Sequence, residues 1–281
     1  MYDLLLGPFE LGFMRRALAG CLALAVAGPP LGVFLVLRRM SLMSDVLQHG
    51  VLPGIALGAA VAGLSVWAMG LGGILAGLAV ALLAGWLSRN TNGREDSQFA
   101  GIYLIALAIG VTIVSLQRGI DLTHLLFGSV LSVDDTALYC MAGVTTIVLP
   151  VLAVLWRPLI MESLDPGFTA ATGGGGGLSH LMFLALVVLC VVSGFVALGT
   201  LMSVGLMMLP AIAARHWSLS LSGQIRSSVA LAVLASVFGL LVSYHIEIPA
   251  GPAIVLTAGA LWFVSLGLEQ GGIIPFGRSA A

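Results

Sequence analysis

The sequence predicts an all-α integral membrane protein, a polytopic bundle of eight or nine transmembrane helices. Two features of the composition support this: 59% of the 281 residues are hydrophobic, and only 8% are charged. A soluble domain typically has about a quarter of its residues charged. So few charges could not cover the surface of a chain of this length in water. The whole chain, 1–281, is therefore expected to form a single transmembrane domain.

The composition also excludes several functions. The chain contains no lysine, and an ordinary P-loop needs a lysine to reach the β- and γ-phosphates of a nucleotide. Any ATP that drives this protein must therefore be hydrolysed by a different chain. There is no HExxH or GxSxG motif to indicate a membrane enzyme. The net charge of −1 and the absence of a basic tract give no indication of nucleic-acid binding.

Nine apolar segments have the length and composition of candidate spans, since a span needs about 20 mostly apolar residues. Segment 201–214 is short and follows 180–198 closely, so we expect a re-entrant or broken helix there rather than a full span. The candidate spans are 13–37, 42–67, 69–87, 99–117, 136–156, 180–198, 201–214, 227–245 and 251–268.

The arginines predict the orientation. With the N-terminus outside, eight arginines fall on the cytoplasmic side and only Arg15, Arg16 and Arg118 fall outside, as the positive-inside rule favours. The connection 157–177 is then cytoplasmic. Within it, Asp165-Pro166 has the pattern of an N-cap followed by a first-turn proline. This pattern predicts a short helix over 166–172 that ends in the flexible run Gly173–Gly177.

The stretch Met40–Gly58 contains the most informative polar residues. Asp45 and His49 are four residues apart, so on a helix they share one face, with roughly 6 Å of rise between them. Ionisable residues inside a span are costly and usually functional. A carboxylate and an imidazole suit Zn²⁺, Mn²⁺ or Fe²⁺ without selecting among them. In the alternative interpretation, Asp45 lies near the interface and hydrogen-bonds a neighbouring helix.

Pro53-Gly54 is expected to bend or open the helix just beyond this pair. Other potential ligands are expected to be structural. The remaining histidines lie in loops or at span ends, where amphipathic side chains collect. Three methionines in one apolar segment and three separate cysteines are interpreted as packing residues. These side chains are His124, His180, His216, His245, Met202, Met207, Met208, Cys21, Cys140 and Cys190.

Four segments, in the same order, resemble motifs of the zinc/manganese-type metal-cation ABC transporter permease family. They are RRMSLMSDVLQHGVLPGIALG (38–58), DLTHLLFGSVLSV (121–133), VGLMMLPAIAAR (204–215) and IPAGPAIVL (248–256). The resemblance covers nearly the whole chain. It implies a multi-pass permease domain of the ABC importer type in a prokaryotic plasma membrane. Such a domain moves zinc or manganese, with iron as a further candidate, by alternating access.

The resemblance also implies the partners. They are a second copy of the chain, two cytoplasmic P-loop ATPase subunits that bind ATP, and an extracytoplasmic metal-binding protein. No cofactor is expected on this chain apart from the transported Zn²⁺ or Mn²⁺. Asp45 and His49 match metal-path positions of the family. The coupling helix that docks into the ATPase is expected at 164–173, with contacts from Leu164, Asp165, Pro166, Gly167, Phe168, Ala170 and Gly173. The family pattern needs one glycine there, whereas this chain has five.

Two alternatives remain at this point. One is a related permease for iron-siderophores or cobalamin, but those chains are longer and lack the Asp/His pair. The other is a carrier driven by an ion gradient, which would need no ATPase. A neighbouring gene for a P-loop ATPase would distinguish the two transport classes.

We expect Phe168→Asp to uncouple ATP hydrolysis from transport, because a carboxylate would replace the large apolar side chain of the coupling helix. The measurement is ATPase activity and metal uptake in the same reconstituted complex. An intact complex with this substitution and normal transport would contradict the assignment.

Overall fold

The protein's structure is a computed structural model that describes residues 7–41, 43–63, 65–90, 95–116, 130, 133–164 and 176–271. Over these residues it is helical, with no strand. A short 3-10 turn, Gly7–Glu10, precedes ten helices. The helices are α1 Gly12–Leu37, α2 Met43–Gly50, α3 Leu52–Ala62, α4 Val66–Asn90, α5 Glu95–Leu116, α6 Asp135–Leu164, α7 Gly176–Leu198, α8 Thr200–Ala214, α9 Leu221–Ile246 and α10 Ala250–Gln270.

The helices confirm the predicted membrane architecture. Among the described residues, seven segments are long and apolar enough to span a membrane, and α2 and α3 together make one of them, Met43–Ala62. Two shorter apolar helical segments, Gly101–Leu116 and Thr200–Ala214, account for the two other predicted spans. The described part of the chain therefore agrees with a bundle of eight or nine spans.

The α7–α8 junction lies inside the bundle. The chain turns at Gly199, which has a φ of 93°. Glycine adopts this backbone conformation readily, whereas other residues adopt it only with strain. Gly20 of α1 faces Leu198 at this junction, and Gly28 faces Met207 further along α8. Gly20 is about 12 Å along α1 from Gly12, taking 1.5 Å of rise per residue. Helix α8, which corresponds to the predicted short segment 201–214, therefore begins partway through the bundle.

Long-range contacts define the two ends of the bundle. At one end, which we call the coupling end, the side chain of Arg38 after α1 contacts Glu162 in the last turns of α6 and His180 in the first turns of α7. At the opposite end, the Nη1 atom of Arg16 lies 3.5 Å from the Oδ1 atom of Asp135. This arrangement is consistent with the predicted orientation, in which Arg38 and the connection 157–177 share one side.

The predicted coupling helix falls largely outside the described residues. Leu164 is the last residue of α6, and Asp165, Pro166, Gly167, Phe168, Ala170 and Gly173 lie in the part of the chain that the structure does not describe. The last two glycines of the run, Gly176 and Gly177, form the first residues of α7. That helix therefore begins before the predicted span start at 180.

Two glycines allow α3 to lie directly against α4. A Cβ on Gly54 would be 1.9 Å from the carbonyl oxygen of Gly72, and one on Gly58 would be 2.3 Å from that of Ala68. A Cβ at either position would overlap the backbone of α4, so the two helices can lie this close only because both residues are glycine. Small residues allow the same close packing between membrane helices in general. This hairpin fixes the position of α2, which precedes α3 by one residue.

We expect Gly54→Ala to destabilise the protein by about 1–3 kcal/mol or more, since the methyl group would force two backbones apart. Gly70 in α4 is the matched control, because a Cβ there meets nothing within 4 Å. Gly70→Ala should be neutral or stabilising by up to about 1 kcal/mol, because alanine favours helix. Thermal unfolding of the purified protein in detergent measures both. Equal stability of the two variants would contradict the proposed close packing.

Candidate metal site

Helix α2 holds both predicted ligands close to the coupling end. Its first turn follows directly from the turn after α1, with the Met43 N–H donating to the Met40 carbonyl at 3.0 Å. The helix is interrupted at Val51, just beyond Asp45 and His49 as predicted and two residues before Pro53. The reason is that Pro53 lies in the first turn of α3, where a missing N–H is tolerated.

Proline at this position also frees an oxygen beside the site. Pro53 has no N–H to donate to the carbonyl four residues earlier, which belongs to His49. Hydrogen bonds from Val51 N to Leu47 O (3.0 Å) and from Ile55 N to Val51 O (3.1 Å) continue the helical path across the interruption. His49 therefore offers an imidazole and a carbonyl that lacks its usual helical donor.

Asp45 and His49 face each other along one side of α2, as the four-residue spacing predicts. The Oδ1 atom of Asp45 and the Nε2 atom of His49 are 3.6 Å apart, which is longer than a hydrogen bond. Two ligand atoms about 2.1 Å from a single ion at a tetrahedral angle lie about 3.4 Å apart. The separation is thus close to what one shared metal ion requires.

The side chains of this pair are open on the single chain. The Asp45 side chain is 56% exposed and that of His49 is 27% exposed, whereas Leu47 and Gln48 on the other side of α2 are buried. The open row continues along α3 at the same four-residue spacing. It runs through Pro53 to Leu57 (53% exposed) and Val61 (86% exposed).

Sequence reasoning missed one neighbour of the pair, Tyr103 of α5. The centres of its ring and the His49 imidazole are 5.7 Å apart. The Tyr103 ring therefore lies against one side of the His49 imidazole. No local pattern connects two residues on separate helices, and only the packing of α5 beside α2 brings them together.

The other candidate ligands have structural roles. Within the described residues, no group of three or more His, Cys, Asp or Glu side chains could hold a metal ion. Three methionines of α8 are buried packing residues, as predicted: Met202, Met207 and Met208. The cysteines are unpaired, two buried and one half-buried: Cys21, Cys190 and Cys140.

The other histidines that the structure describes have partners outside the pair. The His216 ring contacts the Glu269 carboxylate at the end of α10, and the Nδ1 atom of His245 lies 2.8 Å from the carbonyl of Leu241. His180 belongs to a cluster around Arg38. His124 lies outside the described residues. The described chain thus brings together two candidate ligands of the expected kind, Asp45 and His49, on one open helix face.

Comparison with known proteins identifies the family. The model of the ABC 3 transport family matches residues 10–269. The chain belongs to the ABC 3 transport family. It is 32% identical over 260 residues to the manganese import system permease protein ScaB of Streptococcus parasanguinis, which covers 92% of this chain and 91% of the relative. It is 30% identical to a "probable iron transport system membrane protein" of Haemophilus influenzae, covering 96% and 98%.

A solved structure confirms the fold. The structure titled PsaBC from Streptococcus pneumoniae in complex with Fab matches with a TM-score of 0.82 and 29% identity, over 94% of each chain. This ABC 3 family member is therefore the permease of a metal-ion ABC importer, a multi-pass protein of the bacterial inner membrane. The family resemblance inferred from the four sequence segments is confirmed.

Proposed function

We propose that this permease imports Mn²⁺ and that Asp45 and His49 are the ligands the ion meets on its path. The support is geometric: a carboxylate oxygen and an imidazole nitrogen lie 3.6 Å apart on an open face of α2. These donors also suit Zn²⁺ and Fe²⁺. The manganese import permease among the relatives favours Mn²⁺, and the iron transport relative makes Fe²⁺ the second candidate.

Two copies of the chain complete the path. An ionised carboxylate that faces hydrocarbon is costly, so the open face of α2 needs protein or water against it. A second copy related by a two-fold axis beside α2 would present the same residues, because such an interface is self-complementary. Two carboxylates and two imidazoles would then surround one ion, with water at the remaining positions.

The energy for transport comes from other chains. The sequence has no lysine for a P-loop, so two cytoplasmic ATPase subunits are proposed to hydrolyse ATP and to dock on residues 164–173. An extracytoplasmic binding protein delivers the ion and selects the metal. ATP-driven closure of the ATPase subunits rocks the helices and exposes the site to one side of the membrane at a time.

A site of this kind must bind weakly enough to release its ion. Four protein donors shared between two copies separate when the copies move apart, so the site exists in only part of the cycle. Asp45 carries the charge that offsets lost hydration, and His49 adds a neutral nitrogen. The carbonyl of His49, left without a helical donor by Pro53, can accept from a water molecule of the ion.

We expect Asp45→Ala and His49→Ala each to reduce Mn²⁺ uptake at least about 100-fold, beyond what is typical when a second-shell partner is lost. The measurement is ⁵⁴Mn uptake into cells with equal amounts of membrane-inserted protein. Asp135→Ala and His245→Ala are matched controls away from α2 and should leave uptake near the wild-type level. Normal uptake by either Asp45→Ala or His49→Ala would remove that residue from the path.

Mixed dimers test whether the site is shared. Two differently tagged copies, one wild type and one Asp45→Ala, are co-expressed and purified through both tags. Residues that act as one unit give non-additive losses, so we expect about a tenth of wild-type transport or less. Half of the wild-type rate would indicate two independent sites and would contradict the shared one.

A further inference from the structure

The Arg38 side chain forms a buried polar cluster at the coupling end. It is only 7% exposed, and all three of its guanidinium nitrogens have partners. Its Nη2 donates to Glu162 Oε2 at 2.5 Å, its Nε donates to Ser163 Oγ at 3.3 Å, and its Nη1 lies 2.8 Å from His180 Nδ1. The guanidinium carbon is also 5.2 Å from the centre of the Phe183 ring.

The chemistry of the cluster fixes the role of each group. A guanidinium only donates hydrogen bonds, so Nδ1 of His180 accepts the one from Arg38. The Glu162 carboxylate balances the arginine charge and also accepts from Ser179 Oγ at 3.2 Å. Charged hydrogen bonds of this kind are stronger than neutral ones, and removal of one partner leaves a buried charge without compensation.

The residues that contact Arg38 or its partner Glu162 flank the connection between α6 and α7 on both sides. Glu162 and Ser163 lie in the last turn of α6, and Ser179 and His180 lie in the first turns of α7. The one arginine therefore joins both ends of the connection to the end of α1. The members of the cluster that the structure describes all precede or follow the connection.

Arg38 also lies at the start of the turn into α2, the helix that carries the proposed metal ligands. A tight turn links α1 to α2, with Arg39 at φ 59°, Met40 N donating to Leu35 O at 2.9 Å and Arg39 N donating to Val36 O at 3.1 Å. These two hydrogen bonds form a Schellman motif, a well-defined helix end. Met43 N then donates to Met40 O, and Asp45 follows in the first turn of α2.

We propose that Arg38 is a positioning residue that transmits movement of the α6–α7 connection to the metal-binding helix. When the ends of α6 and α7 shift, their hydrogen bonds to the guanidinium displace the end of α1, and the hydrogen-bonded turn passes this displacement to Asp45 and His49. This inference rests on the proposed function, in which the connection docks on the ATPase and α2 binds the ion.

A purely structural clamp would behave differently. Loss of a clamp lowers the amount of assembled complex and lowers ATP hydrolysis and transport together. Loss of a positioning residue changes the ratio of the two, because the ATPase still turns over while the ion does not move. The deciding quantity is therefore the number of ATP molecules hydrolysed for each Mn²⁺ ion delivered.

The test uses the full complex of permease, ATPase and binding protein in proteoliposomes. Arg38→Ala should raise the ATP consumed per Mn²⁺ delivered by about tenfold or more, within the usual range of coupling between two sites. Arg226→Ala is the matched control, since it removes the same charge from an exposed side chain of α9, outside the turn between α1 and α2. Its ratio should stay within about twofold of wild type, below the usual range of such coupling. A normal ratio in Arg38→Ala overturns the proposal.

A second variant distinguishes loss of coupling from misfolding of Arg38→Ala. Arg38→Ala leaves the partly buried Glu162 carboxylate without its arginine, whereas Arg38→Met with Glu162→Gln removes both charges and nearly keeps the volume. We expect this double variant to assemble and to remain uncoupled. A wild-type ratio in the double variant overturns the proposal. Loss of assembly in both variants also overturns it, because Arg38 would then have a purely structural role.

The wild-type complex separates this inference from the proposed function. If the wild-type complex hydrolyses ATP but delivers no Mn²⁺, the proposed function fails. If it delivers Mn²⁺ and Asp45→Ala abolishes delivery, but Arg38→Ala stays coupled, only the role of Arg38 fails.

Discussion

The cost of placing an ionisable group in a membrane protein dominates this structure. The chain meets that cost in two opposite ways. Around Arg38 it supplies every partner itself: a carboxylate, an imidazole, a hydroxyl and an aromatic ring. At Asp45 and His49 the described part of the chain supplies two donors and leaves them open. The first arrangement is complete within one chain, and we propose that the second becomes complete when another copy and an ion are added.

The contrast fits the role proposed for each place. A group that transmits force must keep its partners through the cycle, and buried hydrogen bonds to a charge are suited to this. A group that handles a transported ion must gain and lose its partner in every cycle, so a permanent third and fourth ligand on the same chain would hinder release. The tight α1–α2 turn and the direct α3–α4 contact at Gly54 hold these two regions in fixed relation.

Local features of the structure could be predicted from the sequence. The spacing of Asp45 and His49 places them on one helix face whatever surrounds that helix, and the short apolar segment after 198 predicts a broken helix. The Arg38 cluster could not be found in this way. Its carboxylate and imidazole partners are 124 and 142 residues further along the chain. From the sequence alone, Arg38 indicates only the orientation of the chain, and His180 is expected to be an interfacial polar residue.

The assignment of metal ligands and of the coupling helix stays a prediction, and the ligand assignment is the central claim. Electron spin-echo spectroscopy of Mn²⁺ bound to the purified permease dimer tests it directly, because the modulation reports imidazole nitrogen on the metal. The account predicts one Mn²⁺ per dimer with nitrogen coupling that changes when the histidines are labelled with ¹⁵N and disappears in His49→Ala. Bound Mn²⁺ with no nitrogen coupling, or with coupling that persists in His49→Ala, would contradict it.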